Sequence, residues 1–100
     1  MEKFIVSDNS SNLQWKFKKY RISVKKSKKE IKLIVSRYFL VDIPIVDIIE
    51  YTTEDIEISI CENSDSIFSL EYNNGQKSLA IKDNRLFWIT VDKSAITFEL

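Results

Sequence analysis

The sequence predicts a single, mostly-β domain, residues 1–100, built on a curved antiparallel sheet. Apolar residues recur at every second position through most of the chain, which is the period of a half-buried strand and not of a helix. Two short polar pairs, Asn74-Gly75 and Asp83-Asn84, divide the last third into segments whose apolar residues fall opposite one another. No repeat, linker or low-complexity tract breaks the chain into parts. A hydrophobic fraction of 44% in 100 residues supplies one core, and 30% charged residues with a single proline do not read as disorder. A chain of this size buries only about two thirds of its unfolded surface. A groove or a sheet face is therefore the expected binding surface, in place of a deep pocket.

Leu13, Trp15 and Phe17 alternate as one strand, and Tyr20, Ile22 and Val24 alternate on the other parity. The slip at Lys18-Lys19 predicts a bulge. Lys25 to Glu30 reads as a charged turn, after which Ile31, Leu33 and Val35 resume the alternation. Pro44 predicts an edge strand or a strand end, because proline cannot donate to a ladder. Ile56, Ile58 and Ile60 share the buried face of the clearest strand, Asp55–Cys61. With Asn74-Gly75 as a two-residue type I′ turn, Tyr72 faces Lys77, Leu70 faces Leu79 and Phe68 faces Ile81. With Asp83-Asn84 as the next turn, Ile81 faces Leu86 and Leu79 faces Trp88. The product is a three-stranded meander over Ile67–Val91. Its last strand carries Phe87, Ile89 and Val91 on the second face, which predicts cover on both sides or an interface. The C-terminus has two readings: Ile96, Phe98 and Leu100 alternate as a strand, while Asp92 could cap a short helix.

Several kinds of chemistry lack their residues. There is no histidine to act as general base or metal ligand, and one cysteine cannot make an internal disulfide or a standard zinc site. The one glycine, Gly75, sits in a turn, so no glycine-rich phosphate loop exists. Cys61 has no histidine to activate it and reads as a packed or half-exposed thiol. The expectation is a non-enzymatic protein with no catalytic residue, metal or cofactor. Glu54, Asp55 and Glu57 are the one carboxylate group that could run acid–base or Mg²⁺ chemistry, and a turn with a solvated strand face is the simpler reading. No apolar run is long enough to span a bilayer and no signal-peptide pattern is present, so a cytoplasmic location is expected.

Net charge is zero, yet the charges are sorted. Lys16 to Lys32 holds nine basic residues and one acid, whereas Tyr38 to Gln76 holds nine acids and no base. Basic and acidic strands pairing in one sheet would explain this, and so would an electrostatic binding surface or self-association into a homodimer. The basic candidates are Lys25, Lys26, Lys28 and Lys29 at the turn, with Arg21 behind them. They suit phosphates or anionic head groups, and Trp15, Phe17 and Tyr20 interleave with lysines as on a single-strand-binding face. Lysines also guard β-edges. The acidic candidates are Glu50, Glu54, Asp55, Glu57, Glu62 and Asp65, which would meet a cationic peptide or simply face water.

Three segments carry a family resemblance: Ile22-Ser-Val-Lys-Lys-Ser-Lys-Lys-Glu30, Ile43-Pro-Ile-Val-Asp-Ile-Ile-Glu-Tyr-Thr-Thr-Glu-Asp55, and Leu86-Phe-Trp-Ile-Thr-Val-Asp-Lys-Ser-Ala-Ile96. Through them, residues Ile22 to Leu100 resemble the small bacterial pleckstrin-homology-like domains, most of all the sublancin immunity protein-like group. The resemblance implies a curved sheet or partly open barrel closed by a C-terminal helix, with no catalytic residues. It also implies an immunity-like or phage-related role in which the domain recognises a peptide or protein. The chain departs from that group in lacking its N-terminal membrane anchor, in the added stretch Met1 to Arg21, and in leaving barely two turns for a helix after Asp92. The alternative function is nucleic-acid or anionic-lipid binding through the basic turn 25–29.

Overall fold

A computed structural model of the chain describes residues 2–7, 13–63 and 67–100. Among the described residues ten strands form two open antiparallel sheets, and neither closes into a barrel. The chain clusters into two compact units, residues 6–55 and residues 1–5 with 56–100. The mostly-β expectation therefore holds.

The six-stranded sheet contains β1 (Glu2–Val6), β6 (Ile56–Asn63), β7 (Ile67–Tyr72), β8 (Lys77–Lys82), β9 (Arg85–Ile89) and β10 (Ala95–Glu99), in the order β1-β6-β7-β8-β9-β10. The meander has the register that its apolar alternation demands. Leu70 lies opposite Leu79 and Leu79 opposite Trp88, and the row continues to Ile60 on β6 and Ile96 on β10. A second row runs Phe68, Ile81, Leu86, Phe98. Leu70, Leu79 and Leu86 are fully buried, and Tyr72 meets Trp88 edge-on with ring centroids 5.8 Å apart. On the second face, Phe87 and Ile89 are half-buried and Val91 lies beyond the strand end, exposed. Phe87 stands between the small Ala80 and Thr97, and Ile89 between Ser78 and Ala95.

The turns exchange roles relative to expectation. The pair at positive φ is Asp83 (53°) and Asn84 (59°), which gives the φ pattern of a type I′ turn between Lys82 and Arg85. The loop at Asn74-Gly75 keeps the predicted Tyr72–Lys77 register but takes four residues, Asn73 to Gln76. It contains a 3₁₀ turn at Asn73–Gly75 and closes through the Gln76 N–H donating to the Tyr72 carbonyl at 3.0 Å. The reason lies at Asn73, whose side-chain oxygen accepts the Glu57 N–H at 3.0 Å, one residue beyond the last β6–β7 pair. Asn73 also takes φ 39°, so its backbone leaves the extended path that pairing with Gln76 in a two-residue hairpin requires.

The C-terminus is strand, so the closing helix implied by the resemblance does not form. Ile96 and Phe98 face Trp88 and Leu86, and Glu99 pairs with Arg85 at 3.0 Å. Asp92 does cap, but it caps a turn. Its carboxylate accepts the Thr90 hydroxyl at 2.5 Å and the Ser94 N–H at 3.0 Å, while Lys93 takes φ 67°. The hydrogen bonds from Thr90, then Ser94, lower the Asp92 pKa to about 2.

The four-stranded sheet contains β2 (Leu13–Phe17), β3 (Tyr20–Lys26), β4 (Glu30–Phe39) and β5 (Val41–Tyr51) in sequential order. Phe17 faces Tyr20 across a two-residue turn with Lys18 at φ 53°, so the expected bulge at Lys18-Lys19 is a hairpin turn instead. The parity change there follows from reversal of the chain. The bulge lies on β5: Val35 faces Val46 while Ser36 faces Pro44, which leaves Ile45 as the extra residue. Pro44 sits on this edge strand, as its missing donor requires. Ile22, Val24, Ile31, Leu33 and Val35 form the buried face, with Tyr20 at one end.

Candidate binding surface on the four-stranded sheet

Register assigns every side chain of the four-stranded sheet to a face. Phe17, Tyr20, Ile22, Val24, Lys26, Ile31, Leu33, Val35 and Val46 share the buried face. Lys16, Arg21, Lys25, Glu30, Lys32, Tyr38, Asp42, Asp47, Ile49 and Tyr51 fall on the other. This sorting corrects two expectations. Lys26 is on the buried parity, only 9% exposed, with its ammonium donating to the Ser27 carbonyl at 2.5 Å, so it is not part of an exposed lysine cluster. Phe17 and Tyr20 are buried and Trp15 is half-buried on that same face, so they do not stack on a ligand beside the lysines.

Lys25, Lys28 and Lys29 are exposed at the β3–β4 turn, which is closed by the Ser27 N–H donating to the Glu30 carbonyl at 2.9 Å. Lys25 lies directly opposite Lys32. Like charges in that position repel, and neither lysine has an ion-pair partner among the described residues. Arg21 is four residues along β3 from Lys25, about 13 Å at strand rise. It belongs to a different group: its guanidinium binds Asp42 at 2.7 Å and lies 5.1 Å from the Tyr38 ring, which Lys16 approaches to 5.9 Å. The Arg21–Asp42 bridge joins β3 to β5 across β4, so the basic and acidic strands meet here through side chains and are not paired with each other.

The far end of this sheet carries a second feature. Tyr38, Leu40, Val41 and Ile43 are 44%, 84%, 64% and 51% exposed around the β4–β5 hairpin. Leu40 holds φ 66°, a conformation that costs a leucine about 1–2 kcal/mol. The Tyr38 N–H donates to the Lys19 carbonyl at 2.9 Å, and Lys19, Arg37, Tyr38 and Ile43 line one depression. Sequence reasoning passed over these residues. Continuing the Ile31-Leu33-Val35 count would have placed Tyr38 with Lys32 on the open face.

The acidic candidates do not form one site. Glu54 and Asp55 are exposed in the connection after β5, and the Glu54 N–H donates to the Thr52 hydroxyl at 3.1 Å. Glu54 lines a shallow depression with Lys29 and Tyr51, where the Thr52 N–H donates to the Lys29 carbonyl at 2.8 Å. Glu57 belongs to the six-stranded sheet and meets Lys3 at 3.7 Å. Glu50 is half-buried opposite Ile31. The Glu62 side chain and Asp65 lie outside the described residues. Among the described residues no group of three or more acids or cysteines is placed to hold a metal ion, and Cys61 is exposed. Among the described residues no helix is long and apolar enough to cross a membrane. No family model, curated protein or solved structure matches the chain.

Proposed function

We propose that this protein is a non-enzymatic, cytoplasmic binding domain that captures a peptide or protein segment at the β4–β5 hairpin. The observation that supports this reading is the hairpin itself. Four large apolar side chains are exposed there together, and one of them, Leu40, occupies a left-handed conformation that a glycine or asparagine would fill more cheaply. Exposed apolar surface gathered in one hairpin, where Tyr38 and Ile43 line the same depression, suits an interaction site. Lys19 and Arg37 beside Tyr38 and Ile43 select the occupant: an apolar side chain flanked by Asp or Glu. The pleckstrin-homology-like kinship and the immunity-like or phage-related setting rest on the sequence resemblance alone.

The test is an amide-resolved NMR titration of the full chain with a short peptide alternating Asp or Glu with Phe or Leu, against a peptide of the same pattern carrying Lys. The acidic peptide shifts the amides of Lys19, Arg37, Leu40, Val41 and Ile43, and Ile43→Asp abolishes the shifts. Equal response to the lysine peptide, or shifts that map elsewhere, would overturn the reading.

A further inference from the structure

We propose that the open face of the four-stranded sheet is a track for single-stranded nucleic acid, with Lys25 and Lys32 as its charged centre and Tyr38 and Tyr51 as stacking positions at its ends. This site shares only Tyr38 and Lys19 with the hairpin site.

The Lys25–Lys32 pair carries an electrostatic cost. Lys25 and Lys32 occupy directly opposed positions, and among the described residues neither forms an ion pair, although Glu30 lines the same depression. The neighbour that completes their row on β5 is Ile49, 43% exposed, not an acid. A bound phosphate removes that repulsion, so the pair favours an anion more than two isolated lysines would. Positive charge continues both ways along β3: to Lys28 and Lys29 at one turn, and to Lys16, Arg21, Lys18 and Lys19 toward the other. Tyr51 is 81% exposed and shares the open face by its pairing with Glu30, next to Lys29. Tyr38 lies eight residues along β4 from Glu30, so the two rings bracket roughly 26 Å of sheet. Basic side chains with exposed aromatic rings on a sheet surface are what a single strand requires, since every base offers a face to stack.

The shape of the field selects a strand over a membrane. Asp42 and Asp47 lie on the same face along β5 and Glu30 at the start of β4, so positive charge is confined to a strip along β2, β3 and the rest of β4. A bilayer is planar and would meet those carboxylates, whereas a single strand can follow the basic strip. The Ser27-Lys28-Lys29 apex also has no apolar side chain to insert among lipid tails.

The experiment is fluorescence anisotropy of the full chain with a labelled oligothymidylate of about twelve nucleotides, at low salt and at roughly 200 mM. Binding is expected at low salt and falls steeply as salt rises. Lys25→Gln combined with Lys32→Gln should weaken it tenfold or more and reduce the slope of log K against log salt by about 1.4, at roughly 0.7 per lost phosphate contact. That double variant removes a repulsion, so its melting temperature should not drop, which separates lost binding from lost folding. Tyr51→Ala should weaken binding about fivefold or more. The proposal is overturned if the oligonucleotide does not bind at low salt. It is equally overturned if the variants bind like the parent chain, or if phosphatidylserine vesicles bind while the oligonucleotide does not.

Discussion

The two sheets solve the same packing problem with different discipline. In the six-stranded sheet, the meander strands, β6 and β10 pair without a register shift, apolar residues line up in two uninterrupted rows, and of the non-glycine positive-φ residues Asn73, Asp83, Asn84 and Lys93 only Lys93 is of a type unsuited to it, in the turn that Asp92 caps. Its second face is filled around Phe87 by small side chains such as Ala80 and Thr97. The four-stranded sheet has an equally buried inner face, yet its open side breaks several local rules. It opposes two lysines, bulges at Ile45, and holds a leucine at φ 66°. Charge is divided in the same way: the unit of residues 6–55 carries ten basic and seven acidic residues, the other unit five and eight. Residues 56–100 read as built for stability. Departures from local consistency that no fold contact repays are expected where a surface binds something.

The largest effect should come from the regular sheet. Leu79→Ala removes the centre of the Ile60-Leu70-Leu79-Trp88-Ile96 row and should destabilise by about 2–5 kcal/mol in urea unfolding. A loss well under 1 kcal/mol would mean that this row is not a closely packed core, and the contrast between the sheets would dissolve. A much smaller effect belongs to the Asp92 turn. The Thr90 and Ser94 hydrogen bonds hold the Asp92 pKa at about 2, below the ordinary value of 3.8. The folded state therefore binds that proton less readily than the unfolded chain. The turn's contribution is fully present above pH 4 or so and is lost as pH falls through about 2. Asp92→Ala should flatten that part of the acid-unfolding curve, and an unchanged curve would show that the turn does not depend on this carboxylate.

Much of the fold was legible because period and register are local and cooperative. Leu70, Leu79 and Trp88 could be aligned on paper, since a slip of one residue would have turned every apolar side chain outward. Turn type was less legible. Asn74-Gly75 has the composition of a type I′ turn, but Asn73 is drawn away by a backbone N–H on β6, sixteen residues distant in sequence. The parity change at Lys18-Lys19 has the same signature whether the chain bulges or reverses, and only pairing of Phe17 with Tyr20 distinguishes them. Asp92 was legible as a cap but not as to what it caps, because the first turn of a helix and a tight hairpin ask the same of a carboxylate. Of the site, Lys25, Lys28 and Lys29 could be picked from composition, whereas excluding Lys26 and including Lys32 and Tyr38 required the parity of β3 and β4.

The central claim is that the irregular residues of the four-stranded sheet are kept for binding and not for folding, and Leu40 tests it most directly. Leu40→Asn fills the left-handed position with a residue that tolerates it and removes an apolar side chain that is 84% exposed. Urea unfolding of this variant should show unchanged or higher stability, with a gain of up to about 1 kcal/mol, while the acidic peptide binds more weakly. A variant less stable than the parent chain by 1 kcal/mol or more would contradict the account, because Leu40 would then be holding the fold together.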